Sequence, residues 1–246
     1  MNRIVSRPPD VLLVLAKAPV AGLAKTRLCP PATPTDAARI AAAALLDTLD
    51  NAAAVADARV LVAWTGALAD AENADELARA LAPTELFAQC EGELGQRIAA
   101  AHAEAARRAP GSAVLQIGMD TPQQDARALA AALDQLHRTD RAPDAVLGPA
   151  VDGGWWALGL RDPRRATVLA DVPMSRPDTG ELTRRVLRAA GLTVEALPEA
   201  RDVDTAVDAQ VVAAVAPHGR FAAEVRTRLG DARLGQARNV PTGGPC

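Results

Sequence analysis

The sequence predicts an α/β fold, a mostly parallel sheet with helices on both faces. Two observations predict it. Short β-branched or aliphatic runs alternate along the chain with alanine-rich stretches of helical period, the pattern of strand-helix-strand units. The junction after the first such run, Lys17-Ala-Pro-Val-Ala-Gly22-Leu-Ala-Lys25-Thr-Arg27-Leu, carries three cations, no acid, and proline and glycine punctuation. In an α/β domain a strand-to-helix junction of this kind is where phosphates bind.

Composition bounds the alternatives. A chain of 246 residues with 49% hydrophobic residues can bury a sizeable core, and that core must be aliphatic, because aromatics are 2% and tyrosine is absent. The same scarcity removes the stacking platforms that single-stranded nucleic acid needs. A net charge of −3 argues against a general polyanion binder, so the local cations at 17–27 are there for a small anion. Cys29, Cys90 and Cys246 are an odd set without CxxC spacing, which suggests neither a disulfide framework nor a zinc site and fits a reducing cytoplasm. No apolar run reaches membrane-spanning length, and 11–16 is too short for a signal segment.

Taken in order, the first strand is expected at 11–16. A long helix follows at 35–56, with Thr35 and Asp36 as its N-terminal cap and first-turn acid. Strand 59–63, helix 70–81, strand 84–89, helix 92–109, strand 113–118 and helix 123–137 continue the alternation, and strand 144–149 closes this part. From 151 to 173 the rhythm breaks: Gly153, Gly154 and Gly159 stand among apolar residues ahead of Pro163 and Pro173, which reads as a bent strand or hairpin, with a strand at 155–160, inserted into the sheet. Helix 180–190, strand 192–197 and helix 205–215 follow. The domain expected to bind nucleotide therefore runs 1–217, and 218–246 supplies one further short helix and a frayed tail.

Four constellations carry chemistry. The Lys25-Thr26 pair invites a P-loop, but that loop needs glycine where this chain has Ala24 and Pro19, so the P-loop is excluded. What remains is a loop whose Lys17, Lys25 and Arg27 can hold a diphosphate while Gly22 lets the backbone come close. The second is Gln116-Ile-Gly-Met-Asp120-Thr-Pro122, where an aspartate ends a buried strand over the same sheet edge. Asp120 there can be a magnesium ligand, a cap for the helix that follows, or both at once. The third is Asp152-Gly153-Gly154-Trp155-Trp156, an acid and two glycines beside adjacent indoles, one of which must face the core. In the fourth, Arg201-Asp202-Val203-Asp204-Thr205, two acids on one side of extended chain supply a second carboxylate, and Thr205 can cap the helix behind them. His102, His137 and His218 lack metal-site spacing and read as surface or core histidines; Ser6, Ser112 and Ser175 lack a nucleophile elbow.

The ordered motifs KAPVAGLAKTRL, QCEGELGQR, IGMDTP, LGPAVDGGWWALGL and DVDT resemble a family of GT-A-like "glycosyltransferase-like" proteins related to 2-phospho-lactate guanylyltransferase, some assigned to arsenosugar biosynthesis. The resemblance spans about residues 11–215. It implies a single-domain Rossmann-like sheet of the nucleotide-diphospho-sugar transferase type, binding a nucleoside triphosphate or nucleotide-sugar together with a small-molecule acceptor. It implies that Lys17, Gly22, Lys25 and Arg27 hold the phosphates, that Asp120 and Asp204 bind Mg²⁺ or Mn²⁺, that Gly92, Leu94 and Gly95 line the nucleobase side, and that Asp152, Gly153 and Gly154 line the acceptor side. Lys25, Arg27, Asp120 and Asp152 are the expected catalytic groups. The chain departs from the family pattern at Met119, where a small residue is usual, at Trp155, where tyrosine is common, and at Met174-Ser175, where Trp-Ser is frequent. The expected function is metal-dependent nucleotidyl or glycosyl transfer; the alternative is a non-catalytic nucleotide-binding or interaction module that retains the fold. Nucleobase, acceptor and oligomeric state are not legible.

Overall fold

The structure, a computed structural model, describes residues 7–230. Ser6, the tail beyond Gly230 and Cys246 therefore lie outside the described residues. Seven strands form one sheet: β1 (Asp10–Lys17), β2 (Ala58–Thr65), β3 (Glu85–Ala88), β4 (Val114–Ile117), β5 (Ala145–Pro149), β6 (Trp155–Leu160) and β7 (Val194–Ala196). Their spatial order is β3-β2-β1-β4-β6-β5-β7. All pairings are parallel except those of β6, which runs antiparallel between β4 and β5. The glycine-rich interruption thus folds as the hairpin β5–β6, and the return strand enters the sheet instead of extending its edge.

The described residues form seven α-helices: α1 (Pro34–Ala53), α2 (Ala74–Leu81), α3 (Leu94–Arg108), α4 (Ala126–Gln135), α5 (Thr179–Ala189), α6 (Ala206–Val215) and α7 (Arg220–Leu229). On one face Leu45 and Leu49 of α1, Leu77 of α2 and Leu129 of α4 pack on Leu12, Val14 and Leu115. On the other, Ala101 and Ala105 of α3 meet Val11, Leu13 and Val114, while Ile98 of α3 and Leu187 of α5 meet Leu158 and Leu160. Helix α1 is buried on a second side as well, where Ala37, Ile40 and Ala44 pack against Val212 of α6 and Phe221 and Val225 of α7. A helix clamped between a sheet and two other helices has room for little beyond alanine over much of its surface, which accounts for the run Ala41-Ala-Ala-Ala44.

Several helix starts differ from expectation, and at α1 and α4 a side-chain cap explains the difference. α1 is capped by Thr33, whose hydroxyl accepts from the Asp36 amide while the Asp36 carboxylate accepts from the Thr33 amide, so Thr35 lies inside the first turn. α2 begins at Ala74 after a separate 3₁₀ turn, Leu68–Asp70. α4 begins at Ala126, capped by Asp125, so 123–125 is turn and not helix.

Candidate functional site

In an open α/β sheet, ligands bind outside the carboxyl ends of the strands where the strand order reverses. Here that point lies between β1 and β4, because β2 and β3 run to one side of β1 and the remaining strands to the other. A cavity of about 370 Å³ opens there. The ends of β1 and β4 supply Leu15, Ala16, Lys17, Gln116 and Asp120; Leu94, Arg97 and Ile98 come from α3, and Asp152, Trp155 and Trp156 from the hairpin.

The loop after β1 turns back into this cavity through a residue of unusual conformation. Lys25 has φ 47° and ψ 42°, in the left-handed region that a side-chain-bearing residue rarely occupies. Such backbone persists where the surroundings over-determine it. The surroundings are two carboxylates: the Lys25 Nζ donates to Asp120 Oδ2 at 2.8 Å and to Asp204 Oδ1 at 3.1 Å. Burial works against the Lys25 ammonium, but the charges of Asp120 and Asp204 outweigh it and hold its pKa above the usual lysine value. Arg27 is different in kind. Its side chain is 75% exposed and its Nη1 stands 3.5 Å from Asp204. Lys17 lines the cavity, its backbone N–H donates to Met119 Sδ at 3.3 Å, and its ammonium donates to the Leu23 carbonyl at 3.0 Å. Gly22 has φ +78° with open space around it, so its glycine serves the turn.

Asp120 and Asp204 meet although 84 positions separate them, because the Val203 amide donates to the Asp120 carbonyl at 3.1 Å and pins the 202–204 stretch beside the end of β4. Neither acid is used as a cap. Asp125 caps α4, and Thr205 caps α6 in a capping box with Asp208. Asp202 lies deeper. Its Oδ1 is buried without a hydrogen-bond partner, and burial, then the charges of Asp120 and Asp152, push its carboxyl up to about 8. Among the described residues no three His, Cys, Asp or Glu side chains are arranged to enclose a metal ion by themselves. The donor set nevertheless suits a hard divalent cation that keeps water and phosphate oxygens in its shell, since two carboxylates share one buried lysine and an oxygen of the neighbouring Asp202 has no partner.

The glycines divide by environment. Gly154 lines the cavity, and its amide donates to Asp152 Oδ1 at 2.8 Å. Gly153, expected on the acceptor side, has φ +88°, and a Cβ there would stand 1.9 Å from the Pro177 carbonyl oxygen, so it is required by packing of the turn on the segment before α5. Gly95, expected on the nucleobase side, would place a Cβ 2.4 Å from the Leu169 carbonyl; it lets α3 close on the 3₁₀ turn Pro163–Leu169. Gly92, at φ +115°, and Gly95 border a neighbouring pocket, and of that group Leu94 reaches the main cavity. Of the two indoles, Trp156 is buried with its Nε1 donating to the Pro198 carbonyl, and Trp155 lines the cavity with its Nε1 donating to Thr183 Oγ1.

Several cavity residues were not selected from the sequence. Arg97 stands in the QCEGELGQR run, and its Nη1 donates to Gln89 Oε1 at 3.2 Å. Gln116 and the histidine behind it, His102, carried one usable signal, a polar residue within the fully buried strand Val-Leu-Gln-Ile.

Comparison with known proteins agrees with this architecture. No curated protein matches the chain at a significant level. Among solved structures, a "putative nucleotide-diphospho-sugar transferase" from Desulfovibrio desulfuricans G20 is 26% identical, with 91% of this chain and 98% of that chain covered at a TM-score of 0.77. A CMP:2-keto-3-deoxy-manno-octonic acid synthetase complexed with CTP (14% identity, 85% and 99% covered, TM-score 0.52) and a cytidylyltransferase from Leptospira borgpetersenii (12%, 90% and 94%, 0.54) share the fold. The model of the family described as "Uncharacterized protein conserved in bacteria (DUF2064)" matches residues 48–176, and the chain belongs to that family.

Proposed function

We propose that the protein is a transferase that takes a nucleoside triphosphate or nucleotide-sugar as donor and passes a nucleotidyl or glycosyl group to a small-molecule acceptor. One observation carries this reading: a lysine held in left-handed backbone and buried between Asp120 and Asp204, at the carboxyl edge where β1 and β4 diverge. A site of that charge is poised for phosphates and a cation, and the likeness to the Desulfovibrio protein supports it.

In this reading Lys17, Lys25 and Arg27 bind the donor phosphates and offset the charge that develops on the departing group. Asp120 and Asp204 would hold Mg²⁺ or Mn²⁺, with Asp202 behind them. The metal, when bound, supplies charge neutralisation on the phosphate oxygens. Asp152 and Gly154, on the hairpin side, face the acceptor and fix its approach to the donor.

The test is calorimetric titration with the four common nucleoside triphosphates and a panel of nucleotide-sugars, with and without Mg²⁺ or Mn²⁺, followed by chromatography for donor hydrolysis or transfer. Binding with slow metal-dependent turnover is the expected result. Failure of every donor to bind overturns the reading, and binding without any turnover favours a non-catalytic nucleotide-binding module.

A further inference from the structure

Beneath α3 the cavity has a floor that the phosphate chemistry leaves unexplained. Gln116 sits in β4 paired with Leu13 on one side and Leu158 on the other, and it is only 3% exposed, yet it lines the cavity. Its Oε1 lies 3.0 Å from Nε2 of His102, a histidine on α3 with no exposed surface. Burial drives His102 down to about 4, so at neutral pH the ring carries one N–H. Its other nitrogen, Nδ1, is buried with no partner. A leftover lone pair is tolerated in such a place better than a leftover N–H donor. The proton therefore resides on Nε2 and is donated to Gln116 Oε1, which fixes the direction of the glutamine amide.

The other end of that amide then has nowhere to go within the protein. Among the described residues no group accepts from Gln116 Nε2, and that atom is not among the buried unpaired ones, so it contacts the cavity. The cavity that it faces has Leu15, Leu94 and Ile98 in its lining. The neighbouring Gln89 is already committed, its amide nitrogen donating to the Ala16 and Ala63 carbonyls and its oxygen accepting from Arg97. An amide N–H left without a partner, in a cavity with aliphatic side chains in its lining, suits a flat heterocycle that presents an acceptor.

We infer that Gln116 is a specificity-determining residue that donates a hydrogen bond to an exocyclic carbonyl oxygen of the donor's nucleobase, and that His102 is a positioning residue that sets the amide for it. This rests on the nucleotide reading of the cavity. It selects the bases that carry a carbonyl, guanine, cytosine and uracil, over adenine, whose exocyclic group is itself a donor.

The experiment compares GTP, CTP, UTP, ATP and inorganic tripolyphosphate by titration. Wild type should bind at least one carbonyl-bearing nucleotide about tenfold or more tightly than ATP, a preference that can be measured without any variant. Gln116→Met, close in volume but without a donor, should shrink that preference by about tenfold and leave tripolyphosphate affinity unchanged. His102→Leu, outside the cavity, should move the preference in the same direction, and His102→Gln, which keeps a donor near the position of Nε2, should restore it; a purely structural role would lower affinity for every ligand alike. Wild type that binds ATP as tightly as the other three, or a preference that survives Gln116→Met, overturns this inference alone. Wild type that binds tripolyphosphate but no nucleotide overturns it too, and wild type that binds nothing removes the proposed function with it.

Discussion

The basic loop at 17–27 and the glycine turn at 150–154 both border the cavity, and both were singled out for residues that bring a backbone close to a ligand. They reach their shapes for opposite reasons. In the loop, the strained residue is Lys25, whose carbonyl accepts from the Leu28 amide and whose ammonium is held by the carboxylates of Asp120 and Asp204, which line the cavity. In the turn, the constrained residue is Gly153, and what constrains it is the Pro177 backbone carbonyl, with the Gly180 amide donating to Gly153 O at 2.8 Å beside it. Strain answered by ligand-facing charge points to chemistry, whereas strain answered by a neighbouring backbone points to packing.

The largest expected effect tests the packing side. Gly153→Ala places a methyl where the Pro177 oxygen stands, in a backbone region that costs a side-chain-bearing residue about 1–2 kcal/mol before any clash. We expect a loss of about 3–5 kcal/mol, seen as a fall in melting temperature of roughly 10 °C for a chain of this size. Gly22→Ala is the control: it meets the same conformational cost with open space around it, so about 1–2 kcal/mol is expected. Equal losses at both glycines, read by urea melts, would erase the distinction.

Acid probes the floor of the cavity next. His102 in the fold titrates near 4, below the usual 6.5, so between those values the unfolded chain holds more protons than the folded one. Stability from this group is complete above about pH 6.5 and is lost as pH falls toward 4, by up to about 3 kcal/mol at 1.36 kcal/mol per unit. His102→Gln should flatten that part of the stability profile. An unchanged slope between pH 6.5 and 4 would assign it to other groups.

On the loop side, Lys25→Ala removes the buried cation and leaves Asp120 and Asp204 facing one another across the gap. Loss of charge-assisted bonds to phosphate is worth about 1.5–3 kcal/mol, or roughly 10- to 150-fold in donor affinity by titration. Affinity within twofold of wild type would mean that the lysine serves only the apoprotein's carboxylates.

Much of this was legible in the sequence, and the failures are instructive. All seven strands announced themselves as short, mostly aliphatic runs bounded by turn residues, most plainly the fully buried β4. Helix starts were less visible where two hydroxyls stood in competition: Thr33 and Thr35 both precede the alanine run, and only the three-residue spacing to Asp36 lets Thr33 close a capping box. Asp120 and Asp204 could be named from their places at strand and helix ends. The depth of Asp202 could not, because it depends on the Val203 amide bonding to the Asp120 carbonyl, a contact between distant segments. Gly95 and Gly153 misled for a related reason, since a glycine reports that something is close without reporting whether it is ligand or backbone.

The smallest effect separates two cations that the sequence presents as equals. Arg27 lies two residues from Lys25, but its side chain is 75% exposed against 14% for Lys25, and its one carboxylate contact, Nη1 to Asp204 Oδ2, is 3.5 Å long. An exposed pair of that length contributes about 0–1 kcal/mol, and the guanidinium is free to follow a phosphate only through solvent. Arg27→Ala should therefore weaken donor binding no more than about fivefold at low salt, leave the melting temperature unchanged, and show a shrinking effect as ionic strength rises and screening grows. Lys25→Ala should keep most of its effect under the same salt titration, because its charge is largely buried between two carboxylates. If both variants lose affinity equally and with the same salt dependence, the loop acts as one solvated cationic patch and the contrast with the glycine turn loses its basis.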